Sequence, residues 1–197
     1  MNSYRVELPQ DSVTALNLDS FILAKQMVKH SKLSINELLV RLQRLPYENQ
    51  SLYSLWDGEH LDLTFNPEST DDFDINIVGT YIVLKMSAYS VLKPLIADFG
   101  EFIKINTDRG EMMLFNLLTF GKEDPQLTEV KYTDGFEDGL KSLVFDKEDI
   151  YKKSLYKSKL EGGDLIYCNE QFFNEVKLNN LTGITFYTDL IGMFPKA

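Results

Sequence analysis

The stretch INIVGTYIVLKMSAYSVLKPLIADFGEFIKINTDRGEMMLF, residues 75–115, decides the fold class. Its opening, Ile75-Asn76-Ile77-Val78-Gly79-Thr80-Tyr81-Ile82-Val83-Leu84, predicts a β region with a bulge at Gly79. Ser87 then predicts the cap of a helix whose apolar face is Val91, Leu92, Leu95 and Ile96, closing at Gly100, where a left-handed residue costs glycine least. Next, Glu101-Phe102-Ile103-Lys104-Ile105 and Met112-Met113-Leu114-Phe115 flank Thr107-Asp108-Arg109-Gly110, a hairpin signal. Such a mixture is neither strict βαβ alternation nor all-β. It predicts an α+β fold, a mixed or antiparallel sheet with short helices packed on it.

Towards the N-terminus, Tyr4-Arg5-Val6-Glu7-Leu8 alternates at period two and stops at Pro9, predicting an edge strand. Asp19 opens a helical pattern through Phe21, Ile22, Met27 and Val28 that ends near His30. Ser34-Ile35-Asn36-Glu37 is a capping box, followed by a helix through Leu38, Leu39, Leu42 and Leu45 that Pro46 should stop. Leu61-Asp62-Leu63-Thr64-Phe65 reads as a strand broken by Asn66-Pro67. Beyond residue 115, strands are expected at Val130-Lys131-Tyr132, Leu143-Val144-Phe145, Leu165-Ile166-Tyr167-Cys168 and Ile184-Thr185-Phe186. Asp134-Gly135 separates the first two, Asp146 opens a helical turn to Ile150, and Asn169 caps a helix through Val176. At 197 residues one compact unit is expected, with a helical and acidic subdomain over 1–75 and an α+β domain over 76–197.

The net charge of −10 is unevenly spread: residues 1–44 carry +2, 45–84 carry −8 and 85–197 carry −4. Between Arg44 and Lys85 stand Glu48, Asp57, Glu59, Asp62, Glu68, Asp71, Asp72 and Asp74 without a single cation. Tyr47, Tyr53, Trp56, Phe65, Phe73 and several leucines are interleaved with them, so the stretch reads as a folded acidic surface. This balance argues against nucleic acid as a partner, whose affinity is supplied mainly by Lys and Arg. No apolar run approaches the roughly 18 residues that span a bilayer, so no membrane partner is expected. Glu7 falls where a signal peptide would be apolar, and Cys168 stands alone, so a cytoplasmic chain is expected.

Few motifs point to chemistry. Asp72-x-Asp74-x-Asn76 spaces oxygens as a calcium loop does, but Ile77 and Val83 occupy the positions that need Gly and Glu. His30 and His60 lack a metal-binding spacing, and Gly162-Gly163-Asp164 lacks the Lys-Ser/Thr ending of a phosphate loop. Residues 147–160 hold five lysines with Tyr151 and Tyr156, a pattern used on single strands, though a solvated face is the default reading. No metal, cofactor or catalytic residue is expected. Aromatic anchors beside carboxylates are instead the residue types of a protein interface, and Tyr53, Trp56, Asp57, Glu59, Glu68, Asp71, Asp72 and Asp74 are the candidate partner-binding residues.

Four stretches carry a family resemblance over residues 77–189: Ser87-Ala88-Tyr89-Ser90-Val91-Leu92-Lys93-Pro94-Leu95-Ile96, Met113-Leu114-Phe115-Asn116-Leu117-Leu118, Leu143-Val144-Phe145-Asp146, and Leu165-Ile166-Tyr167-Cys168-Asn169-Glu170-Gln171-Phe172-Phe173 with Asn180-Leu181-Thr182-Gly183-Ile184-Thr185-Phe186. In this order they resemble a family of bacterial immunity proteins of polymorphic toxin systems, the eleventh in the usual numbering. The resemblance implies a non-enzymatic cytoplasmic protein, encoded beside a secreted toxin, that binds the toxin and occludes its active site. It supplies no contact residues. Acidity of the chain suggests a basic toxin domain. The alternatives are a small enzyme, with Cys168 or His60 as candidates, and a regulatory module that binds another protein.

Overall fold

The structure is a computed structural model that describes residues 2–70 and 73–192. It is α+β, with 29% helix and 32% strand. The strands are β1 (Ser3–Glu7), β2 (His60–Asp62), β3 (Ile75–Val78), β4 (Tyr81–Lys85), β5 (Gly100–Thr107), β6 (Gly110–Leu117), β7 (Glu129–Thr133), β8 (Phe136–Ser142), β9 (Leu155–Lys157), β10 (Ile166–Asn169) and β11 (Thr185–Tyr187). The helices are α1 (Ser20–Met27), α2 (Ile35–Glu48), α3 (Met86–Ile96), α4 (Lys147–Ile150) and α5 (Glu170–Leu178).

A five-stranded sheet, ordered β2-β5-β6-β4-β3, lies at the centre; only β2–β5 pair in parallel. Period-two alternation covers both of its faces. Val83, Ile103, Ile105, Met112 and Leu114 meet Leu23 and Met27 of α1 and Leu38, Leu42 and Leu45 of α2. Ile82, Leu84 and Phe115 point the other way, onto Ala88, Leu92 and Ile96 of α3, Phe172 and Val176 of α5, and the inner face of a second sheet, β11-β1-β10-β9. On the far side of that antiparallel sheet, Tyr156 and Tyr167 pack beneath Leu143, Phe145 and Ile150. Sheet and core therefore run across the 75/76 line: β1 pairs with β10, and β2 pairs with β5.

Several local signals behave as read. Ser34 and Glu37 form the capping box of α2, Asp146 caps α4, and Asn169 caps α5. Others yield to tertiary contacts. β1 is an inner strand, because β11 adds to its free edge. α2 continues through Pro46 to Glu48 and ends where Asn49 turns left-handed at φ 49°. Gly79 is part of the tight turn between β3 and β4 at φ 60°, not a bulge. Lys85 precedes α3 where Ser87 was expected, and the helix closes through a 3-10 turn, Ala97–Phe99. Gly100 lies at φ −174° inside β5. A Cβ there would sit 2.2 Å from the Asn116 carbonyl oxygen, so close strand approach requires the glycine. Residues 143–145 form only a bridge from Phe145 to Glu123, and the strand that follows Asp134-Gly135 is β8.

Candidate functional site

The acidic stretch wraps along β5. Glu101, near the strand's start, accepts from the Ser51 hydroxyl and the Leu52 N–H, both at 2.5 Å, and from the Asn116 amide at 2.8 Å. This carboxylate fixes the 3-10 turn Leu52–Ser54 and so places Tyr53, whose hydroxyl donates to the Phe102 carbonyl at 2.9 Å. Burial, reinforced by the charge of Glu101, pushes the Tyr53 phenol above its ordinary pKa. Its ring is 47% exposed and lies parallel to Trp56, centroids 6.2 Å apart.

Trp56 is only 3% exposed. The chain closes over its indole at Gly58, where a Cβ would fall 2.2 Å from the ring, and the indole nitrogen is buried without a hydrogen-bond partner. It therefore packs in the core with Phe65 and Phe73 and presents no ring to a partner. Asp57 and Glu59 are exposed, held beside the end of the first helix by a hydrogen bond from the Asp57 N–H to the His30 carbonyl. Glu68 is exposed at the other end of β5, next to Ser69, whose carbonyl accepts from Arg109. From Phe102 to Asp108 the strand rise alone separates Tyr53 from that region by about 20 Å. Asp74 is half-buried and accepts from the Thr182 N–H and hydroxyl, both at 2.9 Å, which ties it to the turn before β11. Asp71 and Asp72 lie outside the described residues.

The stretch thus divides by chemistry. Its leucines, Trp56, Phe65 and Phe73 go inward, while Tyr47 and Tyr53 stay partly at the surface with the exposed carboxylates Glu48, Asp57, Glu59, Asp62 and Glu68. Among the described residues, no three His, Cys, Asp or Glu side chains form a metal-binding group. Cys168 is fully buried, and burial holds its thiol well above the ordinary pKa, the opposite of an activated nucleophile. It faces the core between the sheets, whereas His60 lies on the edge strand of the five-stranded sheet, 3.5 Å from Asp62. Two lysines of the lysine-rich stretch are committed: Lys153 pairs with Asp149, and Lys157 is 2% exposed with its ammonium on the Pro46 carbonyl. Gly162 and Gly163 adopt φ 66° and 78°, and a Cβ on Gly163 would meet that same carbonyl at 2.3 Å. The Gly-Gly turn seats its loop on the end of α2.

What the sequence reading passed over is β8, which pairs with the expected strand β7 into a hairpin that hydrogen-bonds to no other strand. Phe136 at its tip is 78% exposed and Tyr132 is 61% exposed. The available signal was Asp134-Gly135 followed by an aromatic within a strand, Phe136–Ser142, that lacks a regular apolar face. No protein-family model matches the chain, and the curated proteins contain no match to it.

Proposed function

We propose that the chain is an immunity protein: it binds a basic toxin domain in the producing cell's cytoplasm and neutralises it by covering the toxin's active site. The observation that carries this reading is the set of exposed carboxylates Glu48, Asp57, Glu59, Asp62 and Glu68 in a stretch whose leucines, Trp56, Phe65 and Phe73 are buried. An acidic face raises the rate of encounter with a cationic cleft, and a nuclease-type cleft is cationic because its substrate is anionic. The family resemblance over residues 77–189 supports the same class. No helix among the described residues is long and apolar enough to cross a membrane.

The test is calorimetry, together with stopped-flow association measurements, on the purified toxin domain encoded beside this chain. A one-to-one complex is expected, and the triple variant Asp57→Asn, Glu59→Gln, Glu68→Gln should associate several-fold more slowly at low salt. Absence of a complex overturns the reading; unchanged kinetics in the triple variant overturn its electrostatic part.

A further inference from the structure

We infer that the tip of the β7–β8 hairpin is the anchor of this protein on its partner, with Phe136 entering an apolar pocket rimmed by cationic side chains. The inference rests on the immunity reading and adds, to an acidic stretch whose Tyr47 and Tyr53 are 59% and 47% exposed, the most exposed aromatic among the described residues, Phe136. A two-stranded hairpin without a third strand is marginal in water, so its ordered projection needs a cause. Asp134 and Gly135, at φ 53° and 85°, form the tight turn that Asp-Gly favours. Asp138 accepts from the Lys131 ammonium and, at 2.8 Å, from the Thr133 hydroxyl; these donors hold its carboxyl below the usual range. Lys141 pairs with Glu129 across the strands, and Ser142 donates to the Leu127 carbonyl at the base. The element is stiffened from tip to base while its large apolar side chain, Phe136, points to water.

Charge identifies the occupant. Both hairpin lysines are taken by Asp138 and Glu129. The carboxylates left without an ion-pair partner among the described residues are Asp134 and Glu137, which flank Phe136 on either side. An exposed phenyl ring between two free carboxylates is complementary to an apolar pocket with a Lys or Arg rim. A second copy of this chain would bring like charges together at a net charge of −10 each, and an anionic lipid surface would repel the tip. Register shifts between Glu129 and Val130 and between Val130 and Tyr132 make β7 irregular, a poor template for an added strand. The grip is therefore by side chains at the tip.

The experiment measures binding of the adjacent-encoded toxin domain to the full chain, Phe136→Ala and Asp134→Asn/Glu137→Gln by surface plasmon resonance. In parallel, a photo-crosslinking amino acid is placed at position 136 or, as a control, at exposed Leu178. Phe136→Ala should weaken binding at least tenfold through faster dissociation, with an unchanged melting temperature. The charge variant should slow association at low salt, and crosslinking should occur from position 136 alone. Full-affinity binding by Phe136→Ala, or crosslinking from 178 and not 136, overturns the hairpin inference and leaves the immunity reading standing. No binding by the unaltered chain overturns both. Concentration-dependent dimers of the unaltered chain that Phe136→Ala abolishes would assign the tip to self-association and overturn it too.

Discussion

Lys157 offers a prediction whose size follows from its surroundings. It sits in β9, its ammonium on the Pro46 carbonyl at 2.9 Å and 5.2 Å from the Phe120 ring centre. That carbonyl is one of those left over where α2 ends, so the lysine closes the helix and joins it to the second sheet. Burial lowers the ammonium pKa from 10.5 to about 8, and the charge of Asp164 offsets only part of this. At about 1.4 kcal/mol per pKa unit, keeping the group charged in the folded state costs on the order of 3 kcal/mol. Below pH 8 both folded and unfolded chains hold the proton, and the cost is constant. Between pH 8 and 10.5 the folded chain has released a proton that the unfolded chain keeps, so stability rises with pH, by at most about 1.4 kcal/mol per unit. Tyr81, Tyr156, Tyr167 and Cys168, all raised by burial, act in the opposite sense at higher pH and are shared by any Lys157 variant. Urea unfolding of the native chain and Lys157→Met from pH 7 to 10 isolates the effect. The native chain should gain on the order of 2 kcal/mol relative to the variant across that range. A difference that stays flat with pH would refute the assignment of a charged, desolvated lysine at this junction.

Two further predictions concern the support of the acidic stretch. Glu101→Ala leaves the Ser51, Leu52 and Asn116 donors without their acceptor and should cost about 3 kcal/mol in chemical denaturation. Glu101→Gln should cost less and let the Tyr53 phenol titrate closer to its ordinary value in a spectrophotometric pH scan. Gly58→Ala forces a methyl group to within 2.2 Å of the Trp56 ring and should lower stability by about 1–3 kcal/mol, seen as a lower melting temperature.

The sequence announced what is decided within a turn or two of chain. The Ser34–Glu37 capping box, the Asp146 and Asn169 caps and the hairpin turn at Gly110 depend on neighbours a few residues away, and all were readable. Pro46, Gly100 and β1 were misread because distant groups decide them. Lys157 donates to the carbonyl of Pro46 itself at the helix end, the Asn116 carbonyl demands a glycine at 100, and β11 covers the edge of β1. The candidate site follows the same division. Charge without counter-charge in residues 45–84 is a local property and predicts carboxylates at the surface. Whether an aromatic in that stretch lies inside or outside depends on packing, so Trp56 could not be placed and the exposed ring on the hairpin went unnoticed.

The central claim is that this protein acts by covering a partner and transforms nothing. Titrating a fixed amount of the proposed toxin partner with this chain, while following that partner's own activity, tests it most directly. The account predicts a linear loss of activity that reaches zero at one molecule of this chain per toxin, with both polypeptides recovered at unchanged mass. Loss of toxin activity at far below equimolar amounts, or a mass change in the toxin that depends on this chain, would contradict it.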